Sequence, residues 1–214
     1  MKLIDKDLHR TFTTLDLFKP GNMLHKPLRN ILTAFIVHRP DIGYVQGMSY
    51  LAGMLLMNLD EIKAFSLFIS LSNWDILYYW FCFKMDKVNW FFSVFSNLIK
   101  IYTPGVYEIL QDENIAVSLF LFEWIITLFS STFPTTMCFR IWDQVLFNGQ
   151  IEIIKFSLAI LKCIEEEMMK WDLYENYIQM LKNPSKFVTE EELFECYKNI
   201  KLDRDQSLKD ILGS

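Results

Sequence analysis

The chain has 214 residues, 52% of them hydrophobic and 16% aromatic, which is ample material for a core and unlike a disordered segment. Its net charge of −5 argues against the basic face that nucleic-acid binding demands, so no nucleic-acid partner is expected. Seven Gly and six Pro are few for a sheet protein built on tight turns.

In chain order, residues 4–11 read as a short helix on which Asp7 and Arg10 are neighbours. Taken alone, such a pair is a surface ion pair of little value. Residues 13–26 read as loop, with a turn at Pro20-Gly21-Asn22. Pro27 opens an amphipathic helix carrying Leu28, Ile31, Leu32, Phe35 and Ile36, and Arg39-Pro40 closes it. A polar loop from Asp41 to Met48 then feeds residues 48–58, which are apolar all round and expected to form a central, buried helix. Such a helix would hold Gln46 rigidly at the mouth of the core. Asp60-Glu61 starts a helix with Ala64, Phe65, Phe68, Ile69 and Leu71 along it.

The stretch 74–92 is the most aromatic of the chain and suits core packing better than a partner surface. Helices are expected over 88–102, ended by Thr103-Pro104-Gly105, over 105–112, and over 115–130, closed by Phe133-Pro134. Thr135 or Thr136 would cap the next helix, which ends at Asn148-Gly149. Residues 151–170 form an amphipathic helix with Ile154, Leu158, Leu161 and Met168 inward and Lys162, Glu166 and Lys170 outward. A helix over 171–182 ends at Asn183-Pro184, and Thr189-x-x-Glu192 is a capping box opening a helix through Ile200. No period-two run and no repeat appears. The reading is all-α: a single irregular multi-helix domain over 1–201, with a polar tail at 202–214.

Cys82, Cys138, Cys163 and Cys196 form no Cys-x-x-Cys pair and read as free buried thiols of a reducing compartment. His9, His25 and His38 lack partners at metal spacing, so no metal site is expected. The charged residues 2–10 are no signal peptide. The apolar run Ile115 to Phe129 is interrupted by Glu123 and too short to span a bilayer. A cytoplasmic protein without a transmembrane segment is expected. There is no phosphate loop, dinucleotide fingerprint or nucleophile elbow, so the residues alone point only to a soluble helical domain.

Ile4-x-x-Asp7-x-x-Arg10, followed by Tyr44-x-Gln46-Gly47-Met48, resembles the two fingerprint motifs of TBC-domain proteins, a family that activates GTP hydrolysis by Rab GTPases. Arg10-Thr11-Phe12, Arg39-Pro40-Asp41-Ile42-Gly43, Thr103-Pro104-Gly105-Val106-Tyr107 and Arg140-Ile141-Trp142-Asp143, with Gly149 beyond, resemble further family signatures in the right order. The likeness covers about residues 1–183. The family's usual Arg-x-x-x-Trp element precedes the first motif and is missing here, which implies a fragment or a shortened member.

The resemblance implies an all-helical fold and an activator rather than an enzyme in its own right. Its partner would be a Rab-family small GTPase in the GTP-bound state, which carries the GTP and Mg; the chain would need no cofactor of its own. Arg10 is implied as an arginine finger, worth about 10³–10⁵ in rate in related systems. Gln46 is implied as a second finger that orients the attacking water. Asp7, with Ile4 in the same motif, would support the Arg10 segment. Tyr44 would brace the glutamine loop or touch the GTPase, Gly47 would allow close backbone approach, and Met48 completes the motif. Arg140, Trp142 and Asp143 are read as structural, an indole in the core with charges at its rim. Arg10 and Gln46 should then share one solvent-reaching groove. A role in vesicle trafficking, with recruitment to endomembranes through the partner, is implied as well. Two other readings stand beside this one: a catalytically silent TBC-like docking module, and a structural helical domain using 74–92 as an oligomer interface.

Overall fold

The computed structural model describes residues 2–13 and 15–202; the tail expected at 202–214 lies outside them from residue 203 on. Among the described residues there are twelve α-helices, two one-turn 3-10 helices (Asp16–Phe18 and Pro184–Lys186) and no strand. The first group comprises α1 (Lys2–Leu8), α2 (His25–His38), α3 (Met48–Leu56) and α4 (Glu61–Ser72). Then come α5 (Asp75–Phe81), α6 (Met85–Tyr102), α7 (Pro104–Asp112) and α8 (Ser118–Ile126). The chain continues through α9 (Thr135–Asn148), α10 (Ile151–Met168), α11 (Tyr174–Lys182) and α12 (Glu190–Asn199).

α3 is buried along its length, with only Tyr50 half-exposed, and packs on α1, α2 and α4. At Gly53 an added Cβ would lie 2.7 Å from the Phe12 ring, so only glycine lets that ring lie against the helix. The helix is central to the first four helices rather than to the whole molecule. The remainder is organised by α10, which contacts α6, α7, α8, α9, α11 and α12. α10 buries far more than its four expected inward residues: Ile153, Phe156, Ala159, Ile160 and Ile164 are also buried. Its charges mark an exposed stripe, yet even Glu165 is buried, accepting from the Gly105 amide at 2.9 Å and pairing with Lys162. That carboxylate meets the unpaired amides at the start of α7, which ties the Thr103-Pro104-Gly105 turn to the hub.

Several boundaries differ from expectation. α2 starts two residues early, leaving Pro27 within the first turn, and α6 starts at Met85. The helix expected over 115–130 stops at Ile126, where the backbone turns left-handed at Leu128 and Phe129. α11 begins at Tyr174 rather than Trp171. Neither Thr135 nor Thr136 caps α9; Pro134 holds that position and both threonines lie in the first turn. The capping box of Thr189 and Glu192 is present in full. Within 74–92, Trp80, Phe81 and Phe91 are buried, whereas Phe83 and Trp90 are exposed. All four cysteines are free, but only Cys138 is fully buried. Among the described residues no helix is long and apolar enough to cross a membrane.

Candidate functional site

After α1 the chain turns through Arg10, whose amide bonds back to the Asp7 carbonyl at 3.1 Å. The turn sends two charges in opposite directions: the Asp7 side chain is 2% exposed and that of Arg10 is 53% exposed. Arg10 Nε donates to Asp7 Oδ1 at 2.6 Å. The Gly47 amide and the Ser49 hydroxyl donate to Oδ2 at 3.1 and 2.9 Å, and the Tyr44 hydroxyl donates to the same oxygen. Thr11 Oγ1 lies 2.8 Å from the Asp7 carbonyl oxygen and 2.6 Å from Ser49 Oγ, its one proton serving either. Burial pushes the Asp7 carboxyl up, but the hydrogen bonds from Tyr44, Gly47, Arg10 and Ser49 outweigh it and hold the group below the usual carboxylate range. Burial, and then Asp7 beside it, push the Tyr44 phenol far above its ordinary value, so its proton is permanently available to donate.

The glutamine loop is anchored at both ends. At its entry Arg39 donates to both oxygens of Asp41 at 2.9 and 2.8 Å and to Asn73 Oδ1 at 2.5 Å. The Arg39 carbonyl accepts from the amides of Ile42 and Gly43. At its exit Gly47 has φ +103, a left-handed turn closed to most side chains, and a Cβ there would meet Thr127 Cγ2 at 3.4 Å. That turn aims the Gly47 amide at Asp7 while Gln46 remains exposed.

A cleft of about 570 Å³ opens between these segments and α8. One wall carries Arg10, Tyr44, Gln46 and Tyr50; the other carries Phe83, Phe122, Glu123, Thr127 and Ser131. The second wall rests on a strained turn, because Leu128 and Phe129 have φ +45 and +66. Such conformations cost about 1–3 kcal/mol each for bulky residues. Trp142 props this turn by donating its indole N–H to the Leu128 carbonyl at 2.9 Å.

Arg10 and Gln46 are thus brought to one cleft, with Asp7, Tyr44 and Gly47 behind them. Ile4 and Met48 are core residues beneath, the Met48 sulfur accepting from the Val45 amide at 3.3 Å. Arg140, Trp142 and Asp143 do not line the cleft. Arg140 ion-pairs with Glu190 and lies 4.5 Å over the Phe194 ring, fastening α12, and Asp143 is exposed on α9. Sequence reasoning missed Ser49, Thr11 and the entire second wall. Ser49 left one signal: a lone hydroxyl inside an apolar run must find a partner once buried.

A sequence model described as the Rab-GTPase-TBC domain matches residues 1–169. The chain is 34% identical over 209 residues to drainin of Dictyostelium discoideum, covering 95% of this chain and 47% of drainin. It is 32% identical over 202 residues to TBC1 domain family member 14 of Homo sapiens, covering 94% of this chain and 29% of that protein. The solved Chlamydomonas flagellar RabGAP TBC domain superposes with a TM-score of 0.79 at 24% identity, covering 92% of this chain and 66% of that one. The chain therefore spans about half, or less, of the length of these curated relatives.

Proposed function

The chain belongs to the Rab-GTPase-TBC domain family, and from that premise we propose that it activates GTP hydrolysis by a Rab-family small GTPase in its GTP-bound state, supplying Arg10 and Gln46 in trans. The observation that carries this reading is the buried carboxylate of Asp7, which fastens both finger segments at once: Arg10 through Nε and the residue after Gln46 through its amide.

In this mechanism Arg10 uses only Nε for the ion pair, and its two terminal amino groups have no hydrogen bond among the described residues. They present a planar fork of donors to the phosphoryl oxygens of the partner's nucleotide. Negative charge that develops on the transferring group meets a cation already oriented by Asp7, so little reorganisation is needed at the moment of reaction. Gln46 accepts from the attacking water and donates to a neighbouring oxygen, holding that water in line. GTP and Mg belong to the partner, and the chain leaves each cycle unchanged. Recruitment to endomembranes, and with it a part in vesicle trafficking, follows from such a partner.

Single-turnover GTP hydrolysis across a panel of GTP-loaded Rabs, paired with sedimentation of the same mixtures, tests the proposal. Acceleration of one or a few members is expected. Stable association with a Rab and no acceleration of any would replace the activator with a docking module. Neither association nor acceleration would remove the GTPase reading altogether.

A further inference from the structure

We propose that Phe83 is an aromatic anchor for the GTPase, packing against an apolar side chain that the partner presents beside its nucleotide. This rests on the GTPase reading above and names the partner's surface chemistry.

The argument starts from the end of α5. Cys82 caps the helix, Phe83 follows with φ +48, and the Lys84 amide reaches back to the Tyr79 carbonyl at 3.0 Å. In this kind of helix ending the left-handed position is usually glycine, because any side chain there is strained. Four other non-glycine residues share a positive φ among the described residues, and each has a local reason. Phe12, Leu128 and Phe129 are buried and held by core packing. Asn114 is of the type that tolerates this conformation. Phe83 has neither reason, being 54% exposed. A local rule broken for so little burial is expected at functional sites rather than structural ones.

The ring's surroundings say what it is for. Phe83 stacks on Phe122, centroids 6.3 Å apart and planes 22° apart, and Phe122 lies 6.2 Å from the buried Trp80 ring. The core therefore braces Phe83 from behind, while the ring lines the same cleft as Arg10 and Gln46. Any partner that sets phosphates against Arg10 must cover this wall. A rigid, half-exposed aromatic with fixed backing is the kind of residue that dominates an interface. Glu123, exposed on the same wall with no side-chain hydrogen bond or ion pair among the described residues, calls for a basic group next to the apolar one.

Phe83→Gly separates the two roles, because it removes the ring and relaxes the turn together. The expected result is a melting temperature unchanged or a few degrees higher. KM for the GTP-loaded Rab should rise about tenfold or more, with kcat nearly unchanged. A merely structural phenylalanine would give the reverse, a lower melting temperature with KM intact, and that would overturn the proposal. Phe83→Asn keeps a residue type suited to the turn and reads the same split should the glycine variant misfold. A folded variant with unchanged KM overturns the proposal and leaves the GTPase reading standing. A change in self-association by sedimentation would assign the wall to a second copy instead. Wild-type protein that neither associates with nor stimulates any Rab in the panel overturns both.

Discussion

Around α10 the chain is held by apolar contact from six other helices; around Asp7 it is held by hydrogen bonds converging on one carboxylate. The two regions answer different demands. Apolar burial is non-directional, and it weakens in increments as methyl groups are removed. A carboxylate with several donors is directional, and its members depend on one another. The hub should absorb change, whereas the Asp7 cleft, which holds Arg10 and the Gln46 loop through one carboxylate, should fail as a unit.

The strongest way to break this contrast is Arg10→Lys. Lysine keeps the charge but presents a compact ammonium instead of a fork. Stimulated hydrolysis should fall by about 10²–10³, or roughly 3–4 kcal/mol in the barrier. Affinity for the GTP-loaded partner should change much less, since in the proposed mechanism the contact matters mainly in the transition state. Near-normal single-turnover rates would take Arg10 out of the chemistry and leave the cleft a docking surface.

Asp7→Asn attacks the junction itself. The amide keeps the shape but puts an NH₂ group where either Arg10 or three other donors need an acceptor. A loss of about 3 kcal/mol is expected from denaturant unfolding, together with a fall in stimulated hydrolysis as Arg10 and the Gln46 loop loosen. The pH profile carries the same information. A carboxyl held below its ordinary value of 3.8 contributes stability that is full above that value and is lost as pH falls through the lower folded one. Unfolding measured from about pH 6 down to about pH 3 should therefore show a shallower acid limb in the variant than in the wild type. Equal limbs would mean that Asp7 is not the charged centre of the site.

The smallest effect is expected on the other side of the comparison. Ile160→Val takes one methylene from the buried face of α10 and should cost about 1 kcal/mol. Hydrolysis per folded molecule should stay at the wild-type rate. A marked drop in stimulation would mean that hub and cleft are coupled after all.

What was legible in the sequence follows the same division. Asp7, Arg10 and Gln46 stood out because their motifs are local, and α2, α4 and the capped α12 could be read from periodicity and end signals. The end of α8 could not, because residues 115–130 are apolar throughout and offer no period to interrupt. There the turn is set by a tertiary contact, the Trp142 indole on the Leu128 carbonyl. The weight of α10 was underestimated because its lysines and glutamates look like a solvated face, while Glu165 is enclosed against α7. Phe83 was hidden twice, inside an aromatic stretch that is mostly core and at a position where glycine would have announced the turn.

The way α1 is held has a thermal consequence. It docks on α2 and α3 through Ile4, Asp7 and Leu8, the buried side chains of its described residues. So few inward contacts leave its place dependent on the surface beneath it. Such segments open locally at temperatures where the rest of a protein remains folded. Arg10 hangs from this element, so heating should silence the protein before it unfolds it. Stimulated hydrolysis followed against temperature should break several degrees below the cooperative melt, and should return on cooling as α1 redocks.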